Sequence, residues 1–136
     1  MKHIFGFFLA LFVVGEAYAV PATVKYIVAG DKIRVLTSID GGEEEYTLIR
    51  FANVDTPELR EKCDSAKRNA KLSRDRVSEL LPVDTVVELK NVKKDKFANR
   101  VSANVILPDG RDIGEILIKE SLGRSYNGSN GKRWCK

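Results

Sequence analysis

What most constrains the fold of this chain is a run of β-rich segments, Thr23–Val28, Asp31–Ile39 and Glu44–Asn53, that ends in a proline turn. Ala29-Gly30 separates the first two and Asp40-Gly41-Gly42 the last two, which predicts a three-stranded antiparallel meander. The third strand leads into Arg50–Glu58, RFANVDTPE. Pro57 fixes its own φ and disfavours helix at Thr56, so Asp55–Glu58 is expected to form a defined turn. Asp55, the Thr56 carbonyl and Glu58 then face one small space. Oxygens of this kind suit a hard cation such as calcium, and Arg50 offers a planar fork of donors for phosphate. Together they point to phosphodiester chemistry. The same residues also read as a strand ending in solvated acids, and the D-T-P-E tetrapeptide alone does not choose between the two.

Beyond the turn, Leu59, Cys63, Ala66, Ala70, Ser73, Val77 and Leu80 recur at spacings of four and three with charges between them. This predicts an amphipathic helix, capped by Asp64 or Ser65 and ended by Pro82. Its small middle residues permit close packing on a sheet. Val83–Val92 and Val101–Leu107 read as two further strands, the second with Val101, Ala103, Val105 and Leu107 on one face. Pro108-Asp109-Gly110 is a turn and Ile113–Ser121 a short second helix. The expected fold is therefore α+β, mainly β, in the order β-β-β-α-β-β-α. That order is compatible with a five-stranded OB barrel with two helices, whose faces bind oligonucleotides.

The N-terminus carries a charge at Lys2, an apolar run over Ile4–Val14 and the small-x-small sequence Ala17-Tyr18-Ala19, which together read as a signal peptide over residues 1–19. Residues 20–136 then form one domain, since the 117 that remain of 136 are too few for two. The run is short for a membrane span. Export also removes His3, the only histidine. A mature chain without histidine excludes a Ser-His-Asp triad, a Cys-His pair, a two-histidine ribonuclease mechanism and histidine-ligated zinc. Cys63 and Cys135 are the only cysteines, and in an oxidising compartment an even pair reads first as a disulfide, with free thiols as the alternative.

The net charge of +4 is unchanged by export, because Lys2 and Glu16 leave together. Basic residues cluster between Arg60 and Arg76, where a solvated helix face is the simple reading. A second cluster contains Lys90, Lys93, Lys94 and Lys96 and precedes Arg100. There, attraction of phosphate is expected, with a charged loop as the alternative.

Three blocks in order, VAGDKIRV at Val28–Val35, RFANVDTPE at Arg50–Glu58 and DKFANR at Asp95–Arg100, resemble the staphylococcal nuclease (thermonuclease) family from about Thr23 to Tyr126. The resemblance implies a calcium-dependent nuclease that cleaves DNA and RNA with little sequence preference and leaves 3′-phosphate ends. It assigns Asp31, Asp55 and the Thr56 carbonyl to the metal, Arg50 and Arg100 to the phosphate, and Glu58 to the attacking water or to ordering the site. Tyr126 lies where the family offers an aromatic ring to the nucleotide, although a packed or exposed tyrosine reads equally well. The implied protein is a monomer with DNA and RNA as substrates. It is exported to periplasm or medium, with no stable membrane association after signal cleavage.

Three positions depart from the family blocks. Ala29 stands where the first aspartate of the Asp-Gly-Asp-Thr block is usual, and losing a carboxylate weakens a calcium site. Lys32 replaces threonine, and strand alternation is expected to point it away from Asp31. Asn99 replaces a glycine in a block one residue longer, and asparagine tolerates the left-handed conformation needed to aim Arg100 inward. Ala29 and Lys32 keep open a second function, a catalytically weak nucleic-acid-binding module. The tail GKRWCK lacks the third helix of the staphylococcal type, and Trp134-Cys135 is expected to anchor it to Cys63.

Overall fold

Val20–Ala29 forms a ten-residue strand (β1), followed by β2 at Lys32–Thr37 and β3 at Glu45–Phe51. The structure is a computed structural model that describes residues 19–95, 99–128 and 133–135. After β3 come a two-residue strand β4 (Val54–Asp55), helix α1 (Asp64–Leu80), β5 (Val86–Lys94), β6 (Arg100–Ile106), helix α2 (Ile113–Lys119) and a second two-residue strand β7 (Arg124–Ser125). The five long strands close into a barrel in the order β1-β2-β3-β6-β5. All neighbours are antiparallel except β3 and β6, which run parallel. This is the expected mainly β, OB-type barrel with two helices. The expected signal peptide lies, apart from Ala19, outside the described residues, and among those described no helix is long and apolar enough to cross a membrane.

Alternate residues of each strand fill the barrel, with Val24, Ile33, Val35, Ile49, Leu89 and Val105 fully buried. Helix α2 closes one end through Ile113 and Leu117. Helix α1 buries Ala66, Ala70, Ser73 and Val77, the small residues of its predicted face, and packs on β1. Its close approach depends on Gly30. A Cβ there would lie 2.5 Å from Ser73 Oγ and 2.8 Å from Thr56 Oγ1.

Several boundaries differ from the sequence expectation for physical reasons. β1 begins at Val20 rather than Thr23, because Val20–Thr23 pairs with Val86–Leu89 to close the barrel. β5 starts at Val86 rather than Val83, since Asp84 adopts a positive φ and Thr85 bonds back to the Pro82 carbonyl. Helix α1 is capped by neither Asp64 nor Ser65. Cys63 is its N-cap residue, without a side-chain cap, and its N–H donates to Cys135 Sγ at 3.1 Å. Leu59 lies before the helix and is 45% exposed. The Cys63–Cys135 disulfide is formed, with a Cα–Cα distance of 5.7 Å, and bridges 72 positions.

Candidate active site

Each member of the site is fixed by a different element. The Asp31 carbonyl accepts the Phe51 N–H at 2.8 Å, which locks the β1–β2 turn against β3. Asp31 is only 2% exposed, and its Oδ2 accepts the Thr56 N–H at 3.2 Å. Two turns distant in sequence are thus joined through one carboxylate.

Arg50, near the end of β3, is the organising cation. Its Nη1 donates to the carbonyls of Phe51 (2.7 Å) and Val54 (2.8 Å), so the guanidinium shapes the turn that carries Asp55. Its Nη2 lies 3.3 Å from Asp55 Oδ1 and 3.6 Å from Asp31 Oδ2. Both carboxylates therefore converge on a single nitrogen. The Tyr126 ring covers the guanidinium, with its centroid 4.5 Å from Cζ.

The pairing of β4 with β7 places Tyr126. Asp55 pairs with Arg124, whose Nη2 is 3.5 Å from Asp55 Oδ2, and the Tyr126 N–H donates to the Asn53 carbonyl. Asn53 in turn donates to Asp112, the N-cap of α2, at 3.0 Å. Asn53 was not foreseen as a site residue. Its amide lies in the middle of the RFANVDTPE block, but its partner is 59 positions away.

Arg100 opens β6 and joins the same cleft. Asn99 has φ of 57°, the left-handed conformation expected of it, and its carbonyl accepts the Leu48 N–H at 2.8 Å. Asp95 Oδ2 lies 2.9 Å from Arg100 Nε. Glu58 is the most open carboxylate, 42% exposed, and its Oε2 accepts from Arg60 Nε at 2.6 Å. Arg60 therefore belongs to the site rather than to a solvated helix face.

Lys32 contradicts the strand-alternation expectation. Asp31 sits in the turn before β2, so alternation begins only at Lys32 and does not separate the two side chains. The ammonium lies 3.2 Å from Asp31 Oδ1 and 3.9 Å from Glu58 Oε1, in a side chain only 18% exposed. The resulting cleft, about 360 Å³, presents three carboxylates (Asp31, Asp55, Glu58) to four cations (Lys32, Arg50, Arg60, Arg100) beside Tyr126. Lys93 and Lys94 are exposed on β5 outside this lining, and Lys94 pairs with Asp40 at 2.9 Å. Lys96 lies outside the described residues.

Asp31 and Asp55, with the backbone of Thr56 beside them, are oxygen donors of the kind calcium takes. Among the described residues no three histidine, cysteine or acidic side chains gather into a metal-holding group. A cation here would need carbonyl and solvent oxygens as well. The donor set fits a hard divalent ion in kind, with its charge already offset by Lys32 and Arg50.

A closed five-stranded barrel bearing an arginine-rich, acid-lined cleft defines an OB-type domain. The family model of staphylococcal nuclease homologues matches residues 48–134, more than half of the chain, and the chain belongs to that family. The match begins within β3, so Asp31 and Lys32 enter the site from outside the matched residues. No curated protein matches the chain.

Proposed function

We propose that this protein is an exported, calcium-dependent nuclease that hydrolyses phosphodiester bonds in DNA and RNA with little sequence preference. The observation that carries the reading is the convergence of Asp31 and Asp55 on one Arg50 nitrogen, in a cleft shared with Glu58 and Arg100, within a nuclease family. Glu58, exposed at the cleft, is the base that takes a proton from the attacking water. Arg50 and Arg100 offset the charge that builds on the phosphoryl oxygens. The water oxygen joins phosphorus, the 5′ oxygen leaves and takes up a proton, and the 3′-phosphate remains. Asp31, Asp55 and the Thr56 carbonyl would hold calcium, which when bound supplies Lewis-acid charge beside the scissile phosphate. Lys93 and Lys94 attract the backbone from outside the cleft lining, Lys96 adds to the same basic stretch of sequence, and phosphate contacts of this kind carry no base information. Export is supported by the signal-like sequence of residues 1–19 and by the disulfide.

A second reading, a weakly catalytic binding module, is favoured by the Lys32 ammonium on Asp31. Plasmid digestion separates the two. Cleavage in calcium that stops in chelator and falls on Arg100→Ala supports the enzyme. Full cleavage in chelator would reject the calcium requirement, and full activity of Arg100→Ala would reject the assigned site. Binding without cleavage in calcium would favour the module. Intact-mass analysis from the native host tests processing after Ala19.

A further inference from the structure

A second cleft, of about 750 Å³, adjoins the first, and Glu58 and Arg60 line both. Its remaining cations are Lys62 and Arg133, and Trp134 contributes the aromatic surface. Its size falls within the roughly 300–1,000 Å³ typical of ligand sites. The Cys63–Cys135 disulfide fixes this wall by tying the tail to the start of α1. The Arg124 guanidinium lies 3.6 Å from the Trp134 ring centroid and holds the indole from one side. Because Arg124 also lies 3.5 Å from Asp55 Oδ2, the indole is coupled to the carboxylate cluster through a single side chain.

We propose that this cleft is an extended subsite for single-stranded nucleic acid, in which Trp134 stacks a base beyond the dinucleotide that spans the scissile phosphate while Lys62 and Arg133 take the adjoining phosphates. Aromatic faces beside cations are what sequence-tolerant single-strand binding requires, because every base has a stacking face and every nucleotide a charge. Continuity through Glu58 and Arg60 gives the strand a path from one cleft to the other. Glu61 is the only acid that the second cleft adds, so the added lining carries one more positive than negative charge. The inference rests on the nuclease reading, since it extends the strand bound there.

Trp134 is the only tryptophan, so its fluorescence reports on this cleft alone. The test compares dithymidylate, whose single phosphodiester fills only the first cleft, with octathymidylate, both in chelator. Octathymidylate is expected to change Trp134 emission and to bind tighter than the dinucleotide. Trp134→Leu should weaken the octamer by about fivefold to a hundredfold and leave the dinucleotide unchanged, the range that stacking on one aromatic side chain spans. The double variant Lys62→Gln/Arg133→Gln, which keeps the indole, should flatten the salt dependence of octamer binding. Octamer binding with unaltered emission, or unaltered affinity in both variants, would overturn the subsite and leave the nuclease reading intact. Failure of both ligands to bind in chelator, and to bind or be cleaved once calcium is added, would overturn that reading and the subsite with it.

Discussion

Replacing Lys32 should strengthen the proposed calcium site. The ammonium sits 3.2 Å from Asp31 Oδ1 and 3.9 Å from Glu58 Oε1, so a cation entering on Asp31 has to displace it. A hydrogen bond to a charged partner contributes about 1.5–3 kcal/mol net. Since 1.4 kcal/mol is a factor of about ten, Lys32→Thr should lower the calcium Kd by about tenfold to a hundredfold. Lys32→Arg should not. Calorimetric titration with calcium in the absence of nucleic acid measures this directly, with thermal unfolding of each variant as the control for fold. Equal calcium affinity in the wild type and Lys32→Thr would show that the ammonium does not compete for Asp31.

The two site arginines should fail differently. Arg100→Ala should cut turnover by about a hundredfold or more, whereas Arg50→Ala should in addition cost about 1–3 kcal/mol of stability by leaving the Phe51 and Val54 carbonyls without their donor. Steady-state kinetics and urea unfolding check the pair. Gly30→Ala should destabilise by about 1–3 kcal/mol through overpacking against Ser73, and Ser73→Gly in the same chain should restore part of the loss. Removing the disulfide by Cys63→Ser/Cys135→Ser should cost up to about 4 kcal/mol in the chain-entropy account, seen as a lower Tm. Arg76 bonds Glu120 and holds its carboxyl below the ordinary 4.5, so this tie between α1 and α2 contributes above that pH and is lost as the pH falls through the lowered value. Glu120→Gln should therefore reduce the acid dependence of unfolding in that window.

The order and type of the long elements were legible because β-branched runs, glycine turns and the four-three spacing of Ala66 to Val77 are local signals. What was not legible came from pairings distant in sequence. Val20 and Pro21 become strand because β5 is there to close the barrel, and β4 and β7 are each too short to announce themselves. The N-cap residue of α1, Cys63, has no capping side chain and is tied to a sulfur 72 positions away. Asp31, Asp55, Glu58, Arg50 and Arg100 could be named from their blocks, and they do share one cleft. Lys32 was misdirected because a one-residue difference in where β2 begins decides whether alternation applies. Arg60 looked like part of a helix that in fact starts four residues later.

Arg50 shows why naming residues does not fix their roles. A sequence presents it as a fork of donors for phosphate, yet the fold commits Nη1 to two backbone carbonyls and turns Nη2 towards Asp31 and Asp55. Nη1 is thereby spent on the backbone, and Nη2 reaches a ligand as those carboxylates turn to another partner. Arg100 Nε faces Asp95, the residue after β5, at 2.9 Å. The guanidinium that organises the turn is therefore coupled to the state of the Asp31 and Asp55 carboxylates. Arg50→Ala therefore probes how the cleft is assembled as well as any contact with a phosphate, because the same side chain holds the Phe51 and Val54 carbonyls.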